Sequence, residues 1–139
     1  MKKGFTLVEL LAVIAIIAII ATITTPLILN VISTSKEKSF KDSAYGLVLA
    51  ATNYQAEAQK NNSDVVLTID YANDSSEKKA LLKTKGKLPD AGQLKIDENG
   101  KVTLALWSDD AKICAIKKNN EKNITLSKIS KTQCVIGND

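Results

Sequence analysis

The sequence contains no histidine, no arginine and only two cysteines among its 139 residues. Without histidine there is no Ser-His or Cys-His pair to activate a nucleophile, and two cysteines supply only half of a tetrahedral zinc site. The sequence also lacks a glycine-rich phosphate loop and a pair of carboxylates placed for acid–base work. We therefore expect no catalytic site, no metal and no cofactor.

Arginine and aromatic residues, which read and stack nucleic-acid bases, are absent or scarce, and aromatics make up 4% of the sequence. Lysine neutralises phosphate but cannot make the bidentate base contacts of arginine, and Trp107 is the only aromatic near the C-terminal lysines. The formal net charge of +4 is a mild surplus. A membrane-anchored DNA-binding module is therefore the weakest functional alternative, and it would depend on Lys112, Lys117, Lys118, Lys122, Lys128 and Lys131.

One long hydrophobic run dominates the N-terminus. Residues 10–21 are all aliphatic, and no charged residue occurs from Leu10 to Ser35. A helix needs about 20 apolar residues to cross the ~30 Å hydrocarbon core of a bilayer, so this run predicts one membrane-spanning helix. Lys2 and Lys3 precede the run and are expected to stay in the cytoplasm, which places the rest of the protein outside.

A cleaved signal peptide and a plain membrane anchor are two simpler interpretations of this run, and both explain less of it. A signal peptide has a hydrophobic region of roughly 7 to 15 residues and a small-residue cleavage site, whereas this run continues into threonines and Pro26 without an A-x-A triplet. No cysteine lies near the run to carry a lipid. A plain anchor leaves Glu9 unexplained, because a carboxylate at the centre of a membrane helix costs roughly 2.5 to 3.5 kcal/mol.

Residues 4–10, Gly-Phe-Thr-Leu-Val-Glu-Leu, lie between a short basic leader and the aliphatic run. This segment resembles the N-terminus of the type IV pilin family, including its pseudopilin relatives, and Pro26 stands where these helices often carry a proline. The resemblance implies that a prepilin peptidase removes residues 1–4 by cutting between Gly4 and Phe5, and then methylates the new amine of Phe5. The lysine-rich, arginine-free composition further indicates a Gram-positive, clostridium-like bacterium as the source.

Cleavage after Gly4 would supply the cation that Glu9 lacks. The new α-amino group of Phe5 has a reference pKa near 8 and is mostly cationic at neutral pH. The resemblance implies that Glu9 of one subunit neutralises the Phe5 amine of a neighbour, although the residues alone leave open a contact within a single subunit. A buried ion pair of this kind fixes the register of packing more than it adds stability. Gly4 is expected because a peptidase must approach the backbone closely.

The function implied by the resemblance is that of a structural subunit, a type IV prepilin that polymerises into a helical cell-surface filament. Its partners would be other pilin copies, the prepilin peptidase and methylase, and an assembly platform driven by an ATPase. The subunit would reside in the cytoplasmic membrane before assembly and in the extracellular pilus afterwards. The alternative is a pseudopilin of a type II secretion or DNA-uptake machine, which shares the N-terminal motif.

Beyond Pro26 the pattern predicts that the helix continues to Lys60, because residues 33–60 contain no proline and apolar residues recur at steps of three and four. We divide the mature protein into a hydrophobic polymerisation helix at 5–33, an amphipathic outer half at 34–61 and a head domain at 62–139. The outer half should bury one stripe, formed by Phe40, Ala44, Leu47, Ala51, Tyr54 and Ala58.

Pro26 is the predicted weak point of this helix. Proline removes one backbone donor and clashes with the preceding turn, and the β-branched residues before it lose rotamer freedom. We expect a bend or local unwinding at Pro26, and the resemblance implies that it forms on assembly.

The head domain is predicted to be an antiparallel sheet packed on the outer half of the helix, which gives an α+β fold class. Asn99-Gly100 between two alternating runs is a strong hairpin signal, and its faces carrying Leu94, Ile96 and Leu104 should lie on the helix stripe. Asp74 and Glu77 resemble a capping box before a short helix. The expected elements are strands at 65–69, 94–97, 101–107, 112–117 and 124–129, and a helix at 77–83. The type IV pilin resemblance implies the same architecture.

Cys114 and Cys134 both lie in the exported half. Outside the cytoplasm two cysteines favour a disulfide, and the resemblance implies one here, since many type IV pilins close a C-terminal surface loop in this way. Two free thiols remain the alternative.

Overall fold

The computed structural model describes residues 4–61, 63 and 65–137, so Met1, Lys2 and Lys3 of the predicted leader lie outside the described residues. The protein divides into two compact units, Met1–Ser35 and Lys36–Asp139. One long N-terminal helix and a C-terminal antiparallel sheet form a pilin-like α+β arrangement, as predicted. The helices are α1 (Leu7–Lys60) and α2 (Ser76–Lys79), with a 3-10 turn at Lys131–Gln133. The strands are β1 (Leu67–Asp70), β2 (Ala91–Ile96), β3 (Val102–Ser108), β4 (Ile113–Lys117) and β5 (Thr125–Ser127).

The first unit contains the N-terminal part of α1, and its apolar side chains are exposed throughout the hydrophobic run. By length and composition this part of α1 is able to cross a membrane. Pro26 lies inside α1, which is continuous there, so a bend on assembly stays a prediction. Threonine hydroxyls before Pro26 donate to carbonyls of the preceding turn, which satisfies polar groups that lipid cannot. These pairs are Thr22–Ile19, Thr24–Ile20 and Thr25–Ala21.

The second unit holds the sheet, in which all five strands follow sequence order and pair antiparallel. The predicted hairpin is present as β2 and β3, with Ile96 opposite Val102 and Leu94 opposite Leu104. Gly100 in its turn has φ of +78°, which favours glycine. The hairpin sets the register of the sheet because its turn fixes which residues face α1.

The main hydrophobic core lies between one face of the sheet and the part of α1 within the second unit. Leu47, Leu94 and Leu104 are fully buried members of this cluster. The predicted stripe is confirmed at Phe40, Ala44, Leu47 and Ala51, while Tyr54 is partly buried and packs against the cluster. Two more residues of α1 that the stripe did not include are buried, Ala50 and Gln55.

The opposite face of the sheet is also covered, which alternation in the sequence did not predict. Ala105 and Trp107 of β3 are buried there with Cys114 and Cys134, and Ile136 packs against them. The segment that contains Cys134 and Ile136, called here the C-terminal segment, therefore covers the second face of the sheet. β3 is buried on both faces for this reason, with only Thr103 of its seven residues half-buried.

Several element boundaries differ from the predicted ones. The N-cap of α2 is Ser75, whose side chain accepts a hydrogen bond from Lys78 N–H, so the predicted Asp74 cap is wrong. The Asp74 carboxylate instead accepts the Asp70 N–H at 2.7 Å and pairs with Lys78 at 2.8 Å. The last strand, β5, is shorter than predicted. The residue just before it, Ile124, donates its backbone N–H to the Tyr45 hydroxyl at 3.0 Å.

Candidate functional site

The start of α1 is closed by a reciprocal pair of hydrogen bonds between Thr6 and Glu9. The Glu9 Oε2 atom accepts from the Thr6 backbone N–H at 2.9 Å and from the Thr6 hydroxyl at 3.1 Å. In return, the Glu9 backbone N–H donates to the Thr6 hydroxyl oxygen at 3.3 Å. This is a capping box, in which two otherwise unpaired N–H groups of the first helical turn find acceptors.

Sequence reasoning missed this role of Glu9, although its signal was visible. Thr6-Leu7-Val8-Glu9 has the spacing of a capping box, with a hydroxyl residue followed three positions later by an acid. Glu9 therefore has a partner within its own helix in the uncleaved protein. Its carboxylate forms none of the ion pairs found among residues 4–61, 63 and 65–137.

Gly4 and Phe5 lie just before the capping box in an open part of the structure. The Phe5 side chain is 91% exposed, and a Cβ built on Gly4 would meet no atom within 4 Å. Gly4 and Phe5 are therefore both exposed in the subunit. Gly4, Phe5 and Glu9 are within six consecutive residues, so a cut after Gly4 would create an amine one turn from the Glu9 carboxylate.

Residues 1–25 match a family model described as the prokaryotic N-terminal methylation motif. The protein carries the type IV pilin signal. This motif supports a prepilin of the pilin or pseudopilin type, and it implies processing by a prepilin peptidase and assembly into pili. Comparison with curated proteins and with solved structures found no significant match to this sequence.

The methylation motif covers the predicted leader, Gly4, Phe5, Glu9 and the first part of the hydrophobic run. It ends at Thr25, so Pro26 and the whole second unit lie beyond it. The individual roles of Gly4, Phe5, Glu9 and Pro26 therefore stay predictions.

Cys114 and Cys134 form a disulfide, the pairing that the resemblance implied. Their Cα atoms are 5.7 Å apart, and both residues are buried beside Trp107. The bond ties β4 to the segment after the 3-10 turn, which closes a loop of about 20 residues and contributes roughly 3 kcal/mol in the chain-entropy model. It holds the C-terminal cover on the sheet.

Three of the C-terminal lysines pair with acids of the second unit. Lys131 lies 3.1 Å from Asp109, and Lys112 lies 3.9 Å from the same carboxylate. Lys128 pairs with Glu37 of α1 at 3.4 Å. Such pairing lowers the positive potential that a DNA backbone would meet.

Asp109 has the most partners among these acids. Its carboxylate accepts the Trp107 indole N–H at 2.9 Å as well as the Lys131 ammonium. The hydrogen bond from Trp107, followed by that from Lys131, holds the pKa of Asp109 below its usual value. Asp109 thereby links β3 to the 3-10 turn. Within the part of the protein that the structure describes, no three acidic or cysteine side chains are grouped to hold a metal.

Proposed function

We propose that this protein is a type IV prepilin, cleaved after Gly4, N-methylated at Phe5 and polymerised into a helical cell-surface filament. The observation that carries the proposal is the methylation motif at residues 1–25, joined to a long apolar helix whose side chains are exposed. An exposed apolar surface of this size requires lipid or protein around it. The membrane supplies lipid before assembly, and copies of the same helix supply protein afterwards.

Residues 5–33 form the polymerisation helix in this proposal. Packing the same helix against a different face of the next copy makes a heterologous contact, and such a contact repeats into a fibre when it does not close. The head domain, residues 62–139, and the outer half of the helix, 34–61, then lie on the outside of the filament.

Glu9 exchanges partners in the proposed assembly. Before cleavage its carboxylate is bonded to Thr6, which lowers the cost of placing an acid near lipid. After cleavage the Phe5 amine of a neighbouring copy becomes available as a counter-ion, and the pair fixes the register between subunits.

The proposed partners are copies of this protein, the prepilin peptidase and methylase, and an assembly platform with its ATPase. Before assembly the subunit is a single-pass protein with its N-terminus in the cytoplasm and its head domain outside. A pseudopilin of a type II secretion or DNA-uptake machine would share the processing steps, and it would differ by forming short filaments of low abundance.

Mass spectrometry of the mature protein tests the processing step. The expected N-terminus is methylated Phe5, whereas an intact Met1 or a cut near Thr25 would overturn the proposal. Gly4→Ala should block the cut, and Gly46→Ala is the matched control because a Cβ meets no atom within 4 Å at either position. Equal processing of both variants would contradict the role of Gly4.

Microscopy of the cell surface with an antibody to the head domain tests the filament. Long labelled filaments are expected. Correct processing without such filaments would instead favour the pseudopilin.

A further inference from the structure

The turn between β2 and β3 contains the sequence Asn99-Gly100, and the buried side-chain amide of Gln55 on α1 is hydrogen-bonded to the Gly100 backbone. Gln55 is 6% exposed. Its amide oxygen accepts the Gly100 N–H at 3.0 Å, and its amide nitrogen donates to the Gly100 carbonyl at 3.0 Å. This orientation is the one that places each atom of the amide opposite a complementary group.

Hydrogen bonds to Asp97 also stabilise the turn. The Gly100 N–H also donates to the Asp97 carbonyl at 2.9 Å. The Asp97 carboxylate accepts the N–H groups of Asn99 at 3.0 Å and of Lys101 at 2.8 Å. Desolvation opposes the charge of this carboxylate, but the hydrogen bonds from Lys101, Asn119 and Asn99 together outweigh it and hold the pKa of Asp97 below its usual value.

Asn99 itself is exposed and is followed by the smallest residue. In such a pair the backbone nitrogen of the glycine is able to attack the Cγ atom of the asparagine side chain. A new N–C bond forms, the glycine nitrogen gives its proton to solvent, and the bond between Cγ and the amide nitrogen of asparagine breaks with loss of ammonia. Water then opens the resulting succinimide at either carbonyl, which leaves aspartate or isoaspartate.

The reaction and the observed contact exclude each other. The succinimide nitrogen carries no hydrogen, so the bonds from the Gly100 N–H to the Gln55 amide oxygen and to the Asp97 carbonyl would be lost as the ring closes. The Gln55 amide oxygen would then be left buried without a donor, which is costly. The folded turn should therefore slow succinimide formation at Asn99-Gly100.

We propose that Asn99 is a latent deamidation site, and that Gln55 protects it by holding the Gly100 N–H. Local opening of the turn releases the Gly100 nitrogen for attack, and unfolding releases it fully. The product with isoaspartate carries an extra backbone methylene in the turn and one new negative charge beside Asp97. The β2–β3 turn would then lose its hydrogen bonding to Gln55 of α1.

The test follows deamidation of the full-length protein in detergent micelles at mildly alkaline pH. Cleavage after lysine releases the peptide 96–101 from every variant unchanged, and mass spectrometry measures its aspartate and isoaspartate. Gln55→Leu keeps the apolar bulk and removes both hydrogen bonds. Gln59→Leu, an exposed position on the same helix, is the matched control.

In the folded state Gln55→Leu should deamidate roughly tenfold faster than the unmodified protein, because one hydrogen bond to the attacking nitrogen is lost. Gln59→Leu should match the unmodified protein, and all three should react equally fast in urea. Equal rates for folded Gln55→Leu and folded unmodified protein would overturn the proposal.

A second measurement covers the case in which Gln55→Leu does not fold. In the unmodified protein, the deamidation rate and the hydrogen-exchange rate of the Gly100 amide are compared over a series of sub-denaturing urea concentrations. The two rates should rise together. Deamidation that is as fast in the folded protein as in urea, or that ignores exchange at Gly100, would overturn the proposal.

Discussion

Gln55 on α1 and Gly100 in the β2–β3 turn are joined by two hydrogen bonds, each of 3.0 Å. The contact links the helix to the turn that sets the register of the sheet. A Cβ on Gly100 would collide with the Gln55 amide and displace it, and the φ of +78° also favours glycine. The buried side chain of Gln55 thereby connects the β2–β3 turn to α1.

Gly100→Ala should destabilise the second unit by about 2 to 5 kcal/mol. A left-handed backbone costs a non-glycine residue roughly 1 to 2 kcal/mol, and displacing Gln55 leaves buried polar groups unpaired at about 1 to 3 kcal/mol. Denaturant unfolding monitored by Trp107 fluorescence measures the change. Gly137→Ala is the control, since a Cβ there meets no atom within 4 Å, and an equal loss in both variants would refute the argument.

Replacing Cys114 and Cys134 together by alanine should lower the free energy of unfolding by roughly 3 kcal/mol in the chain-entropy model. The cover formed by the C-terminal segment should loosen first, because the disulfide is its covalent link to β4. Hydrogen exchange near Ile136 compared with that near Leu47 measures the local effect. Unchanged protection at Ile136 would show that the apolar contacts suffice.

Glu9→Ala should allow membrane insertion and block filament assembly, because the proposed register pair with the Phe5 amine is lost. Glu57→Ala, an exposed acid on the same helix, is the matched control and should assemble normally. Membrane fractionation and electron microscopy give the two readouts. Normal filaments from Glu9→Ala would refute the pairing role.

Thr6 offers a separate test of the capping box. Thr6→Val preserves the shape of the side chain and removes the hydroxyl that bonds Glu9. Loss of an N-cap costs typically about 1 kcal/mol, so the first turn of α1 should fray in micelles. Amide exchange at Val8 and Glu9 measures this, and unchanged exchange would contradict the capping role.

Acid should loosen the contact between β3 and the C-terminal segment. The pKa of Asp109 is lowered in the folded protein, so its contribution to stability is present above the ordinary value of 3.8 and is lost as pH falls through the folded pKa. Asp109→Asn should flatten this part of the stability profile below pH 3.8. Asp42→Asn, on the exposed side of α1, is the control, and identical acid profiles for the two variants would contradict the assignment.

Local patterns were enough to predict the hydrophobic helix, the amphipathic stripe of α1 and the β2–β3 hairpin. Each of these depends on a short repeat or on one turn, such as Asn99-Gly100, whose preference is nearly independent of the rest of the sequence. The methylation motif at residues 1–25 is equally local. The capping box of Thr6 and Glu9 was readable by the same logic and was missed.

Other features depend on residues that come together only when the protein folds. Gln55 is a polar residue beside the apolar stripe, so its polarity assigns it to solvent, and its burial follows from the carbonyl and N–H of Gly100 lying opposite it. The packing of the C-terminal segment on the second face of the sheet also depends on distant residues, since the Cys114–Cys134 bond places this segment against Trp107. A buried polar group is stable only beside its partner, and here packing over long sequence separations supplies that partner.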